Sequence, residues 1–262
     1  MRTPPCQNKM SSHQNPIAHG LHSIVYKTYM IEKHIGRNKR LTLSEALRLK
    51  HQLFVYQHIL RQQGWHIPEC YLLEVNVTKD KVELRLLEQY IEGPTVTEVL
   101  KLHGTSYALK KIIPTLYVLT MQPTVPYDYG KYRLQRLAYG VDLKPDNIIL
   151  YSKKTPFLVD TFAPKLLTIT GNWRYYSSQF ETLAAQELLV VTATREGVIL
   201  RLLRLLGIDR HSLSVSRAFL QAGLSSREIA FLKKEITMGY PLLNIIYGKN
   251  TKLNPSQSAG RS

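Results

Sequence analysis

Asp142-Leu143-Lys144-Pro145-Asp146-Asn147 is the densest run of chemically useful side chains in the sequence, and it leads directly into the apolar stretch Ile148-Ile149-Leu150-Tyr151. A second apolar stretch, Phe157-Leu158-Val159, ends on Asp160. Two carboxylates and one amide therefore stand at Asp142, Asn147 and Asp160, with spacings of five and thirteen residues. These residue types suit phosphoryl transfer. One carboxylate orients an attacking hydroxyl or accepts its proton, while an amide oxygen and a second carboxylate hold magnesium against a nucleoside triphosphate. Without Asp160 the six residues also read as an ordinary polar turn, because Pro, Asp and Asn are turn formers. A carboxylate in register after a second apolar run favours the chemical reading.

An Asp, four residues, an Asn, a short β-hairpin and a further Asp form the catalytic and metal-binding loops of the protein-kinase-like superfamily, which this segment resembles. The resemblance implies that Asp142 is the catalytic aspartate and that Asn147 and Asp160 are metal ligands. It also implies that Lys144 meets the transferred phosphate, as the corresponding lysine does in Ser/Thr-type kinases. The chain departs from that pattern in three places. Gly140-Val141 replaces the His-Arg before the catalytic Asp, Asp160-Thr161-Phe162 replaces Asp-Phe-Gly, and no Ala-Pro-Glu follows. Loss of the arginine removes control by a phosphorylated activation loop. Loss of the glycine removes the hinge by which the metal loop flips. The missing triplet puts a conventional peptide-substrate platform in doubt.

Such a site needs elements to hold it. Ile24-Val25-Tyr26 and Tyr29-Met30-Ile31 are short β-type runs, and apolar residues from Leu43 to Gln63 follow a helical period that Gly64 terminates. Tyr71 to Val77 and Val82 to Tyr90 flank a Lys79-Asp80 turn and predict a hairpin. By the same resemblance, the segment from Gly20 through Val25 to Lys27 is a degenerate Gly-rich loop that keeps one glycine of three. Lys33 is then the phosphate-pairing lysine of the third strand, with Lys27 as its rival. Glu45, the only glutamate between Leu43 and Gln63, is the candidate partner of Lys33. At that position it also favours the helix dipole without any catalytic role. Glu88 to Pro94 resembles the hinge between kinase lobes, which makes Glu88 and Tyr90 nucleotide-binding candidates.

A helix is predicted from Ser106 to Thr120, with Pro114 as a kink. Met121 to Tyr139 defeats a periodic reading: Pro123, Pro126 and Gly130 interrupt it, and it is dense in tyrosine. This segment is extra relative to a typical kinase. After Asp160 helices are predicted at Ser178–Val191, Arg195–Leu206, Leu213–Ala222 and Ser226–Met238. The fold expected is α+β and two-lobed: a small β-rich N-lobe with one long helix (17–91) and a larger helical C-lobe (92–248). A polar lead (1–16) and a flexible tail (249–262) flank the two lobes.

The 262 residues are 44% hydrophobic and 21% charged, which is ordinary for a soluble globular chain. Cys6 and Cys70 lie far apart without metal-type spacing, which argues against a zinc or disulfide framework and fits a reducing cytoplasm. No signal peptide is visible, and the most apolar region, Glu187 to Ile208, is broken by Arg195, Glu196, Arg201 and Arg204, which argues against a membrane span. The formal charge of +16 predicts attraction to anionic surfaces. Its lysines and arginines are nevertheless scattered, with no motif for specific nucleic-acid binding. The resemblance implies ATP and Mg²⁺ as cofactors and transfer of the γ-phosphoryl group to a hydroxyl, on a protein Ser/Thr or on a small molecule or sugar. The alternative is a catalytically weak pseudokinase acting as a nucleotide-binding or scaffold module.

Overall fold

Period-two alternation sets the first part of the chain. The computed structural model describes residues 18–19, 23–27, 30–35, 41–79, 81–151, 156–161, 166–167, 173–174, 185–209 and 215–248. Strands β1 (Ala18–His19), β2 (Ser23–Lys27), β3 (Met30–Ile35), β4 (Cys70–Val77) and β5 (Val82–Gln89) form one antiparallel sheet in the order β1-β2-β3-β5-β4. On β5, between β3 and β4, Leu84, Leu86 and Glu88 share one face and are almost completely buried. On β3, Lys33 lies opposite Leu86 and therefore shares that face. Glu83 and Arg85 take the other face, where Glu32, His34 and Glu74 join them in polar contacts of 2.5–3.2 Å.

Helix α1 (Leu43–Gln62) is the long helix that the apolar period predicts. Thr42 caps it: the Thr42 hydroxyl accepts from Glu45 N, and the Glu45 carboxylate accepts from Thr42 N at 2.8 Å. Gly64 ends it at φ 83°, with Trp65 N bonded to Leu60 O, so a left-handed residue closes the last turn.

The chain divides into two compact units. One takes the described residues up to His51 together with Pro68–Tyr90. The other takes Gln52–Ile67 and the described residues from Ile91 onward, so α1 contributes to both.

The second unit begins with α2 (Val96–His103), which carries a Thr95–Glu98 capping box, and α3 (Thr105–Thr120), which accommodates Pro114 without ending. A hairpin of β6 (Thr124–Tyr129) and β7 (Tyr132–Leu137) follows, in the segment where the sequence showed no regular element. Two short hairpins come next, β8 (Ile148–Ile149) with β9 (Phe157–Leu158) and β10 (Leu166–Leu167) with β11 (Trp173–Arg174). Helices α4 (Ala185–Ala193), α5 (Arg195–Leu205), α6 (Val215–Gln221), α7 (Ser226–Thr237) and α8 (Pro241–Gly248) complete it.

Its core joins Tyr56, Leu60, Trp65 and Ile67 to Ile112, Leu116, Leu134, Leu203, Phe219 and Leu243, all buried. Burial of each such side chain contributes about 1.5–3 kcal/mol relative to exposure. Helix α5 lies at the centre, with Ile199, Leu200, Leu202 and Leu203 fully enclosed. It starts where Thr194 accepts from Gly197 N at 3.1 Å. A Cβ at Gly197 would lie 1.9 Å from Val190 O, so only glycine lets α4 and α5 meet this closely. The architecture is thus a mixture of small antiparallel sheets and many helices.

Candidate active site

Residues 140–147 are irregular, and the structure ties them down one group at a time. Val141 and Leu143 are buried in the core, and Asp142 between them is only 9% exposed. The Tyr56 hydroxyl donates to Gly140 O at 2.7 Å. Burial, with Asp142 and Asp160 nearby, pushes this phenol far above its ordinary range and keeps it a donor. Val141 N donates to Thr192 O at 2.7 Å.

Both oxygens of Asp142 carry a cation: Arg201 Nη1 at 2.5 Å on Oδ1 and Lys144 Nζ at 2.7 Å on Oδ2. Pro145–Asn147 form a short 3₁₀ turn closed by Asn147 N to Lys144 O at 3.0 Å. Asn147 Nδ2 donates to Asp142 O at 3.2 Å. The amide nitrogen is therefore spent on the loop, and the amide oxygen is the atom left to act as a ligand.

The β8–β9 hairpin carries Asp160 back to this loop. Ile148 pairs with Leu158, Val159 N donates to Asn147 O at 2.9 Å, and Asp160 follows at once. Thr161 is fully buried, and its hydroxyl accepts from Gln57 Nε2 of α1 at 2.9 Å. On the other side of the hairpin, Leu150 N donates to Pro94 O at 2.9 Å and Thr95 bridges Ile149. Gly93 is required there: its φ is 147°, and a Cβ would lie 2.5 Å from Leu150 O. Asp142, Lys144, Asn147 and Asp160 thus belong to one braced loop pair within the second unit.

The remaining candidates belong to the first unit. Lys33 Nζ pairs with Glu88 Oε2 at 2.8 Å, the carboxylate being 1% exposed. The sequence reading took Glu45 as the candidate partner of Lys33 and Glu88 as a hinge residue; the structure sets Glu88 against the lysine. Glu88 reaches the lysine because Lys33 and Leu86 face each other and Glu88 is two residues farther along the same face. Glu45 closes the cap of α1. Val25 lies directly opposite Lys33 in the β2–β3 register, and Tyr90 follows β5, half-buried. Gly20 and Phe162 lie outside the described residues.

Sequence reasoning did not name Arg201, Tyr56, Gln57 or Glu88 as partners of these groups. One signal was present for Arg201: a guanidinium inside the most apolar stretch of the chain needs a counter-charge.

Asn147 and Asp160 offer hard oxygen donors, and Mg²⁺ is commonly held by one or two carboxylates together with substrate phosphates. The donor set fits that ion. Among the described residues no group of three His, Cys, Asp or Glu side chains forms a separate metal cage. A concavity of about 790 Å³ elsewhere in the second unit is lined by Tyr132, Arg133, Glu196, Arg227, Phe231 and Glu235 among others, and by none of the loop residues. No helix among the described residues is long and apolar enough to cross a membrane.

No family model matches the chain, and no curated protein matches it. Solved structures do. A MAP kinase from Leishmania major, LmaMPK10, is 16% identical with a TM-score of 0.33, covering 57% of this chain. The chain spans only 45% of the length of that kinase. WaaP in complex with acyl carrier protein is 11% identical with a TM-score of 0.45, covering 92% of this chain and 88% of that one.

Proposed function

We propose that the chain is an ATP-dependent phosphotransferase that moves the γ-phosphoryl group to a hydroxyl acceptor, with Asp142 as the catalytic carboxylate. One observation carries this reading: Asn147 is tied by its amide nitrogen to the Asp142 carbonyl, while the β8–β9 hairpin returns Asp160 beside Asn147. An ordinary polar turn has no reason to place an amide oxygen and a second carboxylate at the end of one hairpin.

In this reading Asp142 holds the acceptor hydroxyl and takes its proton as the oxygen–phosphorus bond forms. Lys144, on a flexible stem and one-third exposed, meets the charge of the transferred group. Within the first unit, Lys33 is paired with Glu88 at 2.8 Å, as a phosphate-pairing lysine would be. Asn147 and Asp160 would hold Mg²⁺, which when bound neutralises phosphate oxygens. Tyr56 and Gln57 keep the two loops at fixed height. A protein hydroxyl and a small-molecule hydroxyl both satisfy this chemistry.

A second reading, a nucleotide-binding module without turnover, is favoured by the two cations that already occupy Asp142. Thermal stabilisation by ATP, with and without Mg²⁺, tests the site, and ATP turnover separates the readings. The expected result is a Mg²⁺-dependent rise in Tm that Asp160→Ala abolishes. Turnover should fall by about 10²-fold or more in Asp142→Asn, the range general-base removal produces. Nucleotide binding with no turnover under any condition would leave the module reading; no binding at all would end both.

A further inference from the structure

We infer that Arg201 is a positioning residue for Asp142: its guanidinium fixes Oδ1 and so presents Oδ2 to the acceptor hydroxyl. The inference rests on the phosphotransferase reading and adds a residue that no motif in the loop contains. Arg201 lies fifty-nine residues beyond Asp142 and reaches it from the middle of α5.

The two cations on Asp142 are not equivalent. Arg201 is 15% exposed, and its neighbours Leu200, Leu202 and Leu203 are fully buried, so its backbone is fixed by the core. Lys144 is 34% exposed and sits in the irregular loop itself. A guanidinium is planar, permanently charged and preorganised, whereas an ammonium on a four-carbon stem is a movable point charge. When a phosphoryl group arrives, Lys144 can follow it and release Oδ2. Arg201 stays on Oδ1.

The step then balances at one oxygen. The acceptor oxygen bonds to the γ-phosphorus, its proton passes to Asp142 Oδ2, and the bond from that phosphorus to the bridging oxygen breaks to leave ADP. Water in place of the acceptor gives ADP and phosphate by the same route.

A merely stabilising role explains the pair poorly. Removing two charges from water offsets most of their attraction, so such a pair adds little net stability. What it does supply is direction: it aligns a carboxylate that the backbone places in an irregular segment. The next arginine on the helix marks the contrast. Arg204 is exposed, donates to Asn244 Oδ1 at 3.1 Å and lies over the Tyr247 ring at 5.8 Å.

Mg²⁺-ATP hydrolysis by the full chain tests this with Arg201→Met, Arg201→Lys and Arg204→Met. Arg201→Met is expected to lose on the order of 10²-fold in kcat, as misplacement of a reacting group does, at unchanged KM for Mg²⁺-ATP. Arg201→Lys recovers part of kcat, and Arg204→Met stays close to wild type. Should Arg201→Met fail to fold, Arg201→Lys carries the test: it keeps the charge, lacks the fork, and should lower kcat alone.

A second arm needs no nucleotide. The Tm loss caused by Arg201→Met (or by Arg201→Lys) should shrink when Asp142 is already Asn, because contacting residues couple. Wild-type kcat in both Arg201 variants, a change confined to KM, or fully additive Tm losses would overturn the inference. A wild-type protein that neither binds nor hydrolyses Mg²⁺-ATP instead removes the phosphotransferase reading, and the inference falls with it even where the Tm coupling is found.

Discussion

At the scale of single residues, Asp142 and Glu196 are both buried carboxylates, but Asp142 meets two cations whereas Glu196 meets a backbone amide. Glu196, at the start of α5, is 6% exposed and accepts from Gln135 N at 2.9 Å. Burial pushes its carboxyl above the ordinary 4.5, Glu228 adds to the rise, and the Gln135 bond and Arg195 only partly oppose it. A carboxyl raised on folding stabilises the protein below about pH 4.5, and that contribution is lost as pH rises through the folded value. Glu196→Gln removes the buried charge and keeps an acceptor for Gln135. Calorimetry should show Glu196→Gln melting above wild type at pH 8, with the gap closing toward pH 4.5. Glu228 behaves oppositely: burial raises it, but bonds from Ser225 and Arg195 outweigh that and hold it low. Because the two carboxylates repel, Glu196→Gln also relieves Glu228, which adds to the expected gap at pH 8. A gap that stays constant across pH would mean that Glu196 carries no charge penalty. The grouping of Asp142, Asn147 and Asp160 was expected from sequence because the first two share one run and Asp160 follows one short hairpin later. The Arg201–Asp142 and Glu88–Lys33 pairings were not, because each depends on a helix or strand face that folding brings to a distant residue.

Elements were legible where one pattern dominated. Helix α1 was expected from Leu43 to Gln63 and runs Leu43–Gln62; the helix expected from Ser106 is α3, Thr105–Thr120. The hairpin expected at Tyr71–Val77 and Val82–Tyr90 is β4–β5 within a residue at each end. The β6–β7 hairpin was hidden because Pro126 interrupts β6 and the turn residue Gly130, at φ 57°, looked like one more breaker among several. Tyr132 and Leu134 of β7 are buried, so the segment is part of the core. The α4–α5 junction is the tightest joint among these elements. Gly197→Ala forces a methyl group against the Val190 carbonyl, and overpacking of this kind costs about 1–3 kcal/mol, occasionally more. Because α5 also carries Arg201, the expected damage is twofold: urea unfolding shows a stability loss of about 3 kcal/mol, and ATP turnover falls. Full stability in Gly197→Ala would mean that α4 and α5 can separate without cost.

The whole molecule is two units that do not correspond to two continuous halves of the chain. The contiguous lobes expected from sequence, with a boundary after residue 91, assign all of α1 to the smaller part. In the structure Gln52–Ile67 belong with the larger unit. Tyr56, Leu60, Trp65 and Ile67 are buried in its core, Tyr56 donates to Gly140 O, Gln57 donates to the Thr161 hydroxyl, and His66 O accepts from Leu158 N at 2.8 Å. Such a unit cannot be cut between Tyr90 and Ile91. A chain beginning at Ile91 lacks four buried apolar side chains, each worth about 1.5–3 kcal/mol. Their sum rivals the entire stability of a typical domain, about 5–15 kcal/mol. That fragment is therefore expected to lack a cooperative thermal transition by circular dichroism. A fragment beginning at Thr42, which keeps α1 whole with its cap, is expected to retain one. If the Ile91 fragment melts cooperatively, the rear half of α1 is an ornament on a self-sufficient helical core. If it collapses while the longer fragment folds, α1 is a structural member of the larger unit and the support beneath both of its candidate catalytic loops.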